Sequence, residues 1–292
     1  MINSKNLSIG FIGAGRVGCT LGRAFFVKKL HISGYFSNTY EHACEAADFT
    51  QSKPCKTIRE LAEISDVIFI TVPDSCICEV YLQLRKSDQL KDKILCHCSG
   101  ALSAGIFKDI EAAGAWGFSV HPAFAVNDKE NSYKEISKAF FTVEGSSEKM
   151  PVIENILKTM GNPYQIIEAE SKQKYHAALA MASNLVIGIY RIALELLEEC
   201  GFSDAAAQKV INPLFLNNAE NVCRNDPLNA LTGPVDRNDV STVEKHLSVL
   251  KKEEDLELYR LLSRKLTEIA KEKYPERDYT DINRLLNKEK NF

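Results

Sequence analysis

Apolar and polar residues along this chain follow two different periods in turn. Short apolar runs at 7–12, 31–36, 67–72, 94–97, 117–120 and 139–143 read as strands, and the segments between them place apolar residues at helical spacing, as Val17, Leu21 and Phe25 do. Met160, Gly161, Asn162 and Pro163 close one such helix, and 164–167 reads as a further strand. Strand and helix alternating in this way predict an α/β fold with a doubly wound parallel sheet covered on both faces. The stretch 66–73 is almost wholly apolar and β-branched before Pro73 ends it, the composition of a central strand with both faces buried.

The texture changes near residue 168, beyond which the pattern is helical. The stretch 171–200 contains no proline and only Gly188, so it reads as one helix of about 45 Å at about 1.5 Å per residue. Ala177, Ala178, Ala180 and Ala182 on it would let another helix approach closely. Further helices are predicted at about 203–224, 239–250 and 253–273, the last with Leu256, Leu258, Leu261, Leu262 and Leu266 as an apolar stripe. Two domains follow: a Rossmann-type sheet domain over 1–167 and an all-helical domain over 168–292.

Composition narrows the class. With 292 residues, 45% of them hydrophobic, the chain can bury two cores. The net charge of −3 is spread over interleaved acids and bases, which argues against nucleic acid or an anionic membrane surface as partner. No run approaches roughly 18 unbroken apolar residues and no leader pattern precedes the first strand, so a cytoplasmic location without membrane contact is expected. Nine scattered cysteines read as free thiols in a reducing compartment. Cys76 and Cys78, with Cys96 and Cys98, lack the wider spacing of zinc knuckles, so no metal is expected.

The chemistry begins where the first strand ends. Gly13, Ala14, Gly15, Arg16, Val17 and Gly18 spell G-x-G-x-x-G between a strand and a helix: Gly13 for the turn, Gly15 for close approach to a diphosphate, Gly18 for helix packing. The free N–H groups of the helix N-terminus then face the anion. In a doubly wound sheet ligands lie beyond the carboxyl ends of the strands, which singles out Ser37, Asn38 and Thr39, then Val72, Pro73 and Asp74, then Ser99. No acid stands after the second strand to hold a ribose or repel a 2′-phosphate, and Ser37 and Asn38 can donate to one. The expected cofactor is therefore NADP rather than NAD, with Arg16 available to the phosphates.

With these residues the chain resembles a bacterial family of predicted oxidoreductases that pair a Rossmann-like NADP-binding domain with a helical domain of unknown function. The further matching residues are Val72, Pro73 and Asp74; His97 through Ser103; His121 and Pro122; Tyr175, His176, Ala177 and Ala178 with Ala182, Ser183 and Asn184; and Leu231, Thr232, Gly233 and Pro234. More distantly it is similar to 3-hydroxyisobutyrate dehydrogenase, pyrroline-carboxylate reductase and deazaflavin-dependent NADP oxidoreductases. That resemblance implies hydride transfer to a small substrate, a C-terminal domain of the 6-phosphogluconate dehydrogenase type, and a homodimer formed through it. It also implies a catalytic lysine four residues before an asparagine on the first long helix. The residue four before Asn184 is Ala180, so that lysine is missing from the expected place.

A proton donor is needed beside the atom that gains electrons, and histidine suits that task. His176 and Asn184 are eight apart and would share one face of the long helix, while His121 follows a strand on the cofactor side, with Pro122 fixing the chain direction. These three are the catalytic candidates. Arg237 is a further candidate for a substrate carboxylate. The competing expectation, favoured by the missing lysine and the alanine-rich wall, is an NADP-binding regulatory or redox-sensing dimer without turnover.

Overall fold

The computed structural model describes residues 7–287, and the chain divides into two compact units, Met1–Ser183 and Asn184–Phe292. The first unit holds one sheet of β1 (Ser8–Ile12), β2 (His31–Phe36), β3 (Lys53–Cys55), β4 (Val67–Ile70), β5 (Ile94–His97), β6 (Trp116–Ala123), β7 (Phe140–Gly145) and β8 (Tyr164–Ile166), in the order β3-β2-β1-β4-β5-β6-β7-β8. Its helices are α1 (Arg16–Val27), α2 (Tyr40–Thr50), α3 (Ile58–Glu63), α4 (Asp74–Lys86), α5 (Met150–Met160) and α6 (Lys172–Ala182). The doubly wound α/β reading holds. Along β4, Val67 and Phe69 enter one apolar core while Ile68 and Ile70 enter the other, the period-2 consequence of burial on both faces.

Three details depart from the sequence reading of this unit. The sheet is not wholly parallel, because β7 runs antiparallel to β6 and β8 follows β7. Only short 3₁₀ turns join β6 to β7, and without a crossover helix the chain can only double back. Strand β3 was not predicted, since three residues containing Pro54 carry almost no pattern; proline is tolerated there because β3 is the sheet's edge. And β6 runs on through His121 and Pro122, so these residues belong to the strand rather than to a loop after it. Pairing with β5 stops at Ser119, which leaves Pro122 on a free edge that needs no donor.

The predicted 30-residue helix is interrupted. At Ser183 (φ −126°, ψ −77°) the first unit ends, and the Ser183 hydroxyl donates back to the Leu179 carbonyl at 2.6 Å, a bond that competes with the helical ladder. The second unit consists of α7 (Asn184–Glu199), α8 (Asp204–Ala230), α9 (Val240–Val249), α10 (Glu253–Lys273) and α11 (Thr280–Leu286). Asn184 therefore opens a new helix in the second unit, whereas His176 belongs to the first. Helix α8 overruns its expected end through a break at Asp226 (φ 63°, ψ 166°), the residue before Pro227, where a helical backbone is disfavoured. Asp239 caps α9 by accepting from the Thr242 N–H at 3.0 Å.

Leu231, Val235, Val243, Ala270, Tyr279, Ile282 and Leu286 form the buried core of the second unit. The leucine stripe foreseen on α10 does not supply it: Leu256 is buried, but Leu261, Leu262 and Leu266 are exposed, and Ser263, Thr267 and Ala270 turn inward instead. Ile187 on α7 (69% exposed) and Leu214 on α8 (66%) are open as well. One stretch, Ala169–Glu199, is long and apolar enough by length and composition to cross a membrane, although it holds no unbroken apolar run of roughly 18 residues.

Candidate functional site

The glycine turn lies at the carboxyl end of β1, tied to both neighbouring strands. The Gly13 N–H donates to the Phe36 carbonyl at 2.8 Å, and the Thr71 hydroxyl donates to the Gly13 carbonyl at 2.8 Å. Gly13 has φ +109°, which only glycine adopts without strain, and a Cβ on Gly18 would lie 2.2 Å from the Gly13 carbonyl oxygen. The buried Tyr35 hydroxyl, donating to the Gly18 carbonyl at 3.2 Å, further fixes α1 against β2. Helix α1 starts with no side-chain cap on its first N–H groups. They face a cavity of about 260 Å³ lined by Gly13, Ala14, Gly15, Phe36, Ser37, Asn38, Val72 and Pro73. A Cβ on Gly15 would meet nothing within 4 Å, so this position looks into open space of the kind a diphosphate needs.

Most residues singled out for the cofactor thus surround one cavity, and Arg16 lies exposed on the first turn of α1 with Val17 and Gly18 behind it. Thr39 is the residue before α2 and lies outside the lining. Cys76, Glu79, Val80 and Gln83 of α4 line it without having been foreseen. Their signal was present in the helical spacing after Pro73, which turns one face of α4 toward the end of β4. Larger cavities exist elsewhere, but the one of about 410 Å³ lies against α2 and the segment 129–131, away from the glycine turn.

Asp74 and Ser99 are engaged with each other. The Ser99 hydroxyl donates to the Asp74 carboxylate at 2.6 Å and accepts from the N–H groups of Ala101 and Leu102, so it organises the loop after β5. His97, fully buried, braces the same loop from below. Its Nδ1 accepts from the Ser99 N–H at 3.2 Å, which leaves the proton on Nε2 to donate to the Ser103 carbonyl at 3.2 Å. Burial holds this imidazole neutral, at a pKa of about 4.

The structure brings His121 and His176 together. A Cβ on Gly100 would lie 2.7 Å from His176 Nδ1 and 3.0 Å from His121 Nε2, so both rings converge on a position that must lack a side chain. His121 Nδ1 is 2.8 Å from the Tyr175 hydroxyl. Burial first, then the Lys172 ammonium, lowers the His121 pKa to about 4, while burial raises that of Tyr175.

Lys172 is the residue that sequence reasoning missed. It is 1% exposed, and its ammonium donates to the Ser99 carbonyl at 3.0 Å and to the Ser119 hydroxyl at 2.7 Å. Among the described residues no carboxylate lies within ion-pair distance of it. Burial brings its pKa down to about 8, against the partial support of Glu144, Cys98 and Asp74. Burying an ammonium costs several kcal/mol, a cost that packing alone does not explain. The lysine escaped notice because it was sought four residues before Asn184, whereas it stands four before His176. Cys76 and Cys78 lie on α4 and Cys96 is buried within β5. Among the described residues no group of three or more potential ligands is arranged for a metal.

Residues 1–122 match a Rossmann-like domain model, and residues 139–266 match a model described as a domain of unknown function, DUF2520. Among solved structures, the chain is similar to a Thermotoga maritima protein at 28% identity and TM-score 0.74, over 90% of this chain and 98% of that one. A candidate NADP oxidoreductase from Bacteroides fragilis aligns at 22% identity and TM-score 0.70, over 91% and 100%. An imine reductase from Myxococcus stipitatus in complex with NADP⁺ shares the fold at 16% identity and TM-score 0.57, over 91% and 93%. No curated protein matches.

Proposed function

The chain belongs to the proteins that join a Rossmann-like domain to a DUF2520 domain, and from that premise we propose that it is an NADP-dependent oxidoreductase acting on a small carbonyl, imine or hydroxy-acid substrate. The observation that carries the proposal is the uncapped start of α1 behind Gly13 and Gly15, opening on a cavity of the first unit. The residues present suit a dinucleotide: main-chain N–H groups for the diphosphate, open space at Gly15, and Ser37 and Asn38 where a 2′-phosphate would lie. Glu79 lines the same cavity, but from α4 rather than from the end of β2 where it would hold a ribose.

When bound, the nicotinamide supplies the hydride; the chain must position it and deliver a proton. His121, neutral through burial, keeps a proton at Nε2 when the Tyr175 O–H donates into Nδ1, and that nitrogen faces Gly100 beside His176. A neutral imidazole of this kind is a hydrogen-bond donor to a carbonyl or imine; as its Nε2 proton passes to the developing anion, the Tyr175 proton moves onto Nδ1 so that no imidazolate forms, and Tyr175 is reprotonated from solvent. The reading of a nucleotide-binding regulator without turnover drew on a missing lysine. A buried lysine does stand near the strand ends, at Lys172, one turn before His176 rather than before Asn184.

The exposed apolar residues of α7, α8 and α10 fit a homodimer surface better than a membrane span. The apolar stretch Ala169–Glu199 is broken at Ser183, and α7 beyond that break has 16 residues, roughly 24 Å at 1.5 Å per residue, short of an apolar layer of about 30 Å. Arg191 and Glu195 pair on its surface, and Glu195 also binds Lys252. All nine cysteines are free, which suits a reducing, cytoplasmic setting.

The test is calorimetric titration with NADP, NADPH, NAD and NADH, followed by NADPH oxidation against small ketones, cyclic imines and keto acids. NADP binding tighter than NAD, reversed by Ser37→Asp, supports the cofactor assignment. Tight binding with no turnover on any substrate would return the regulator reading.

A further inference from the structure

Lys172 has no task in the proton delivery just described, yet it occupies the one place where the ends of β5 and β6 meet the start of α6. Its two acceptors come from different strands: the Ser99 carbonyl lies two residues beyond β5, and the Ser119 hydroxyl lies on β6, itself donating to the Ser99 carbonyl at 3.2 Å. Ser119 is also the last residue at which β5 and β6 pair. Beyond that point the two strands separate, with Gly100 on one branch and His121 on the other, and Lys172 spans the fork. On α6, His176 follows one turn after Lys172, on the same face of the helix.

We propose that Lys172 is a positioning residue: its buried ammonium ties the ends of β5 and β6 together beside Gly100 and keeps the His121 imidazole that converges there neutral. The inference rests on the oxidoreductase reading, because that imidazole has no stated purpose without it. A residue needed only for packing would be apolar, since a methionine or leucine would fill the same volume without the desolvation cost of an ammonium lacking a carboxylate partner. Such a cost persists where it maintains a site. The titratable groups facing His121 are Lys172, Tyr175 and His176 from α6, Asp74 from the start of α4, and His97 from β5. After burial, Lys172 comes first among the charges that disfavour an imidazolium at His121.

The test uses the whole chain labelled with ¹⁵N-histidine, with the His121 imidazole titrated by NMR in the parent, Lys172→Met and Lys172→Arg. In the parent His121 titrates near pH 4. In Lys172→Met the midpoint moves up toward the ordinary value of about 6.5, amide exchange quickens at Ala101 and Leu102, and the melting temperature stays equal or rises. In Lys172→Arg, where the charge is kept, the midpoint stays low. An unchanged midpoint in Lys172→Met overturns the proposal. So does a raised midpoint in Lys172→Arg, or a Lys172→Met chain that melts well below the parent or fails to fold, since the lysine would then serve the fold and not the site. None of these readouts needs a substrate or cofactor, so a failure of the oxidoreductase reading is seen separately, as loss of nucleotide binding or turnover in the parent.

Discussion

His121 Nδ1 and the Tyr175 hydroxyl lie 2.8 Å apart, and their rings meet edge to face with centroids 5.6 Å apart. The pair joins β6 to α6 within the first unit, with Thr142 directly across from His121 on β7. It fixes the ring so that Nε2 points to Gly100. For whichever substrate is reduced, His121→Ala should lower kcat/KM about 100-fold, in the range of general acid catalysis, with NADP affinity unchanged. Tyr175→Phe should lose less, because the imidazole survives without its orienting partner. Steady-state kinetics on both variants checks this, and parental rates in His121→Ala would remove the assignment.

Stability should depend on pH through the buried histidines. His97 and His121 take up protons near pH 4 when folded, against about 6.5 in the unfolded chain. Between these values the unfolded state binds more protons, so the histidines' contribution to stability is full above about pH 6.5 and falls as pH drops toward 4. Each fully titrating histidine contributes on the order of 1 kcal/mol per pH unit in that window. Lys172, lowered to about 8, acts in the same direction at the other end: stability rises from about pH 8 to 10.5 as its buried charge is lost. Urea unfolding across both ranges gives the slopes, and a flat profile between about pH 6.5 and 4.5 contradicts them.

Gly18→Ala should destabilise the first unit by about 1–3 kcal/mol, since the added methyl meets a backbone carbonyl that is itself bonded to Thr71. Chemical denaturation measures the loss. A change smaller than the error of that experiment would mean that α1 can move away from β1 without cost.

If the apolar residues of α7 and α8 meet a second copy, Ile187→Glu and Leu214→Glu should each give a monomer by light scattering where the parent is a dimer. A parent that is already monomeric at micromolar concentration would leave this surface without the proposed partner.

The first unit could be read in the sequence to the extent that its strands are apolar on both faces. Gly13, Gly15, Ser37, Asn38, Val72 and Pro73 were found from local pattern because each lies within a few residues of a strand end, and they do line one cavity. Contacts set by long separations were not legible. Lys172 is 73 residues from Ser99 and 53 from Ser119, and nothing around it in the chain distinguishes it from a solvated lysine. The break at Ser183 was hidden for a different reason: helical spacing continues through it, and one side-chain bond to Leu179 competes with the ladder. On α10 the leucine stripe was visible but its burial was not, because apolar spacing alone does not say which surface covers it.

The central claim is that a diphosphate rests on the first turn of α1, and Gly15→Glu tests it most directly. Gly15 has extended backbone angles and open space around it, so the fold should accept the substitution while a carboxylate fills the anion site. Calorimetry should show NADP binding in the parent, and binding at least about 100-fold weaker in a Gly15→Glu chain, at roughly 2.7 kcal/mol, with an unchanged melting temperature. Equal NADP affinity in the two proteins would contradict the account.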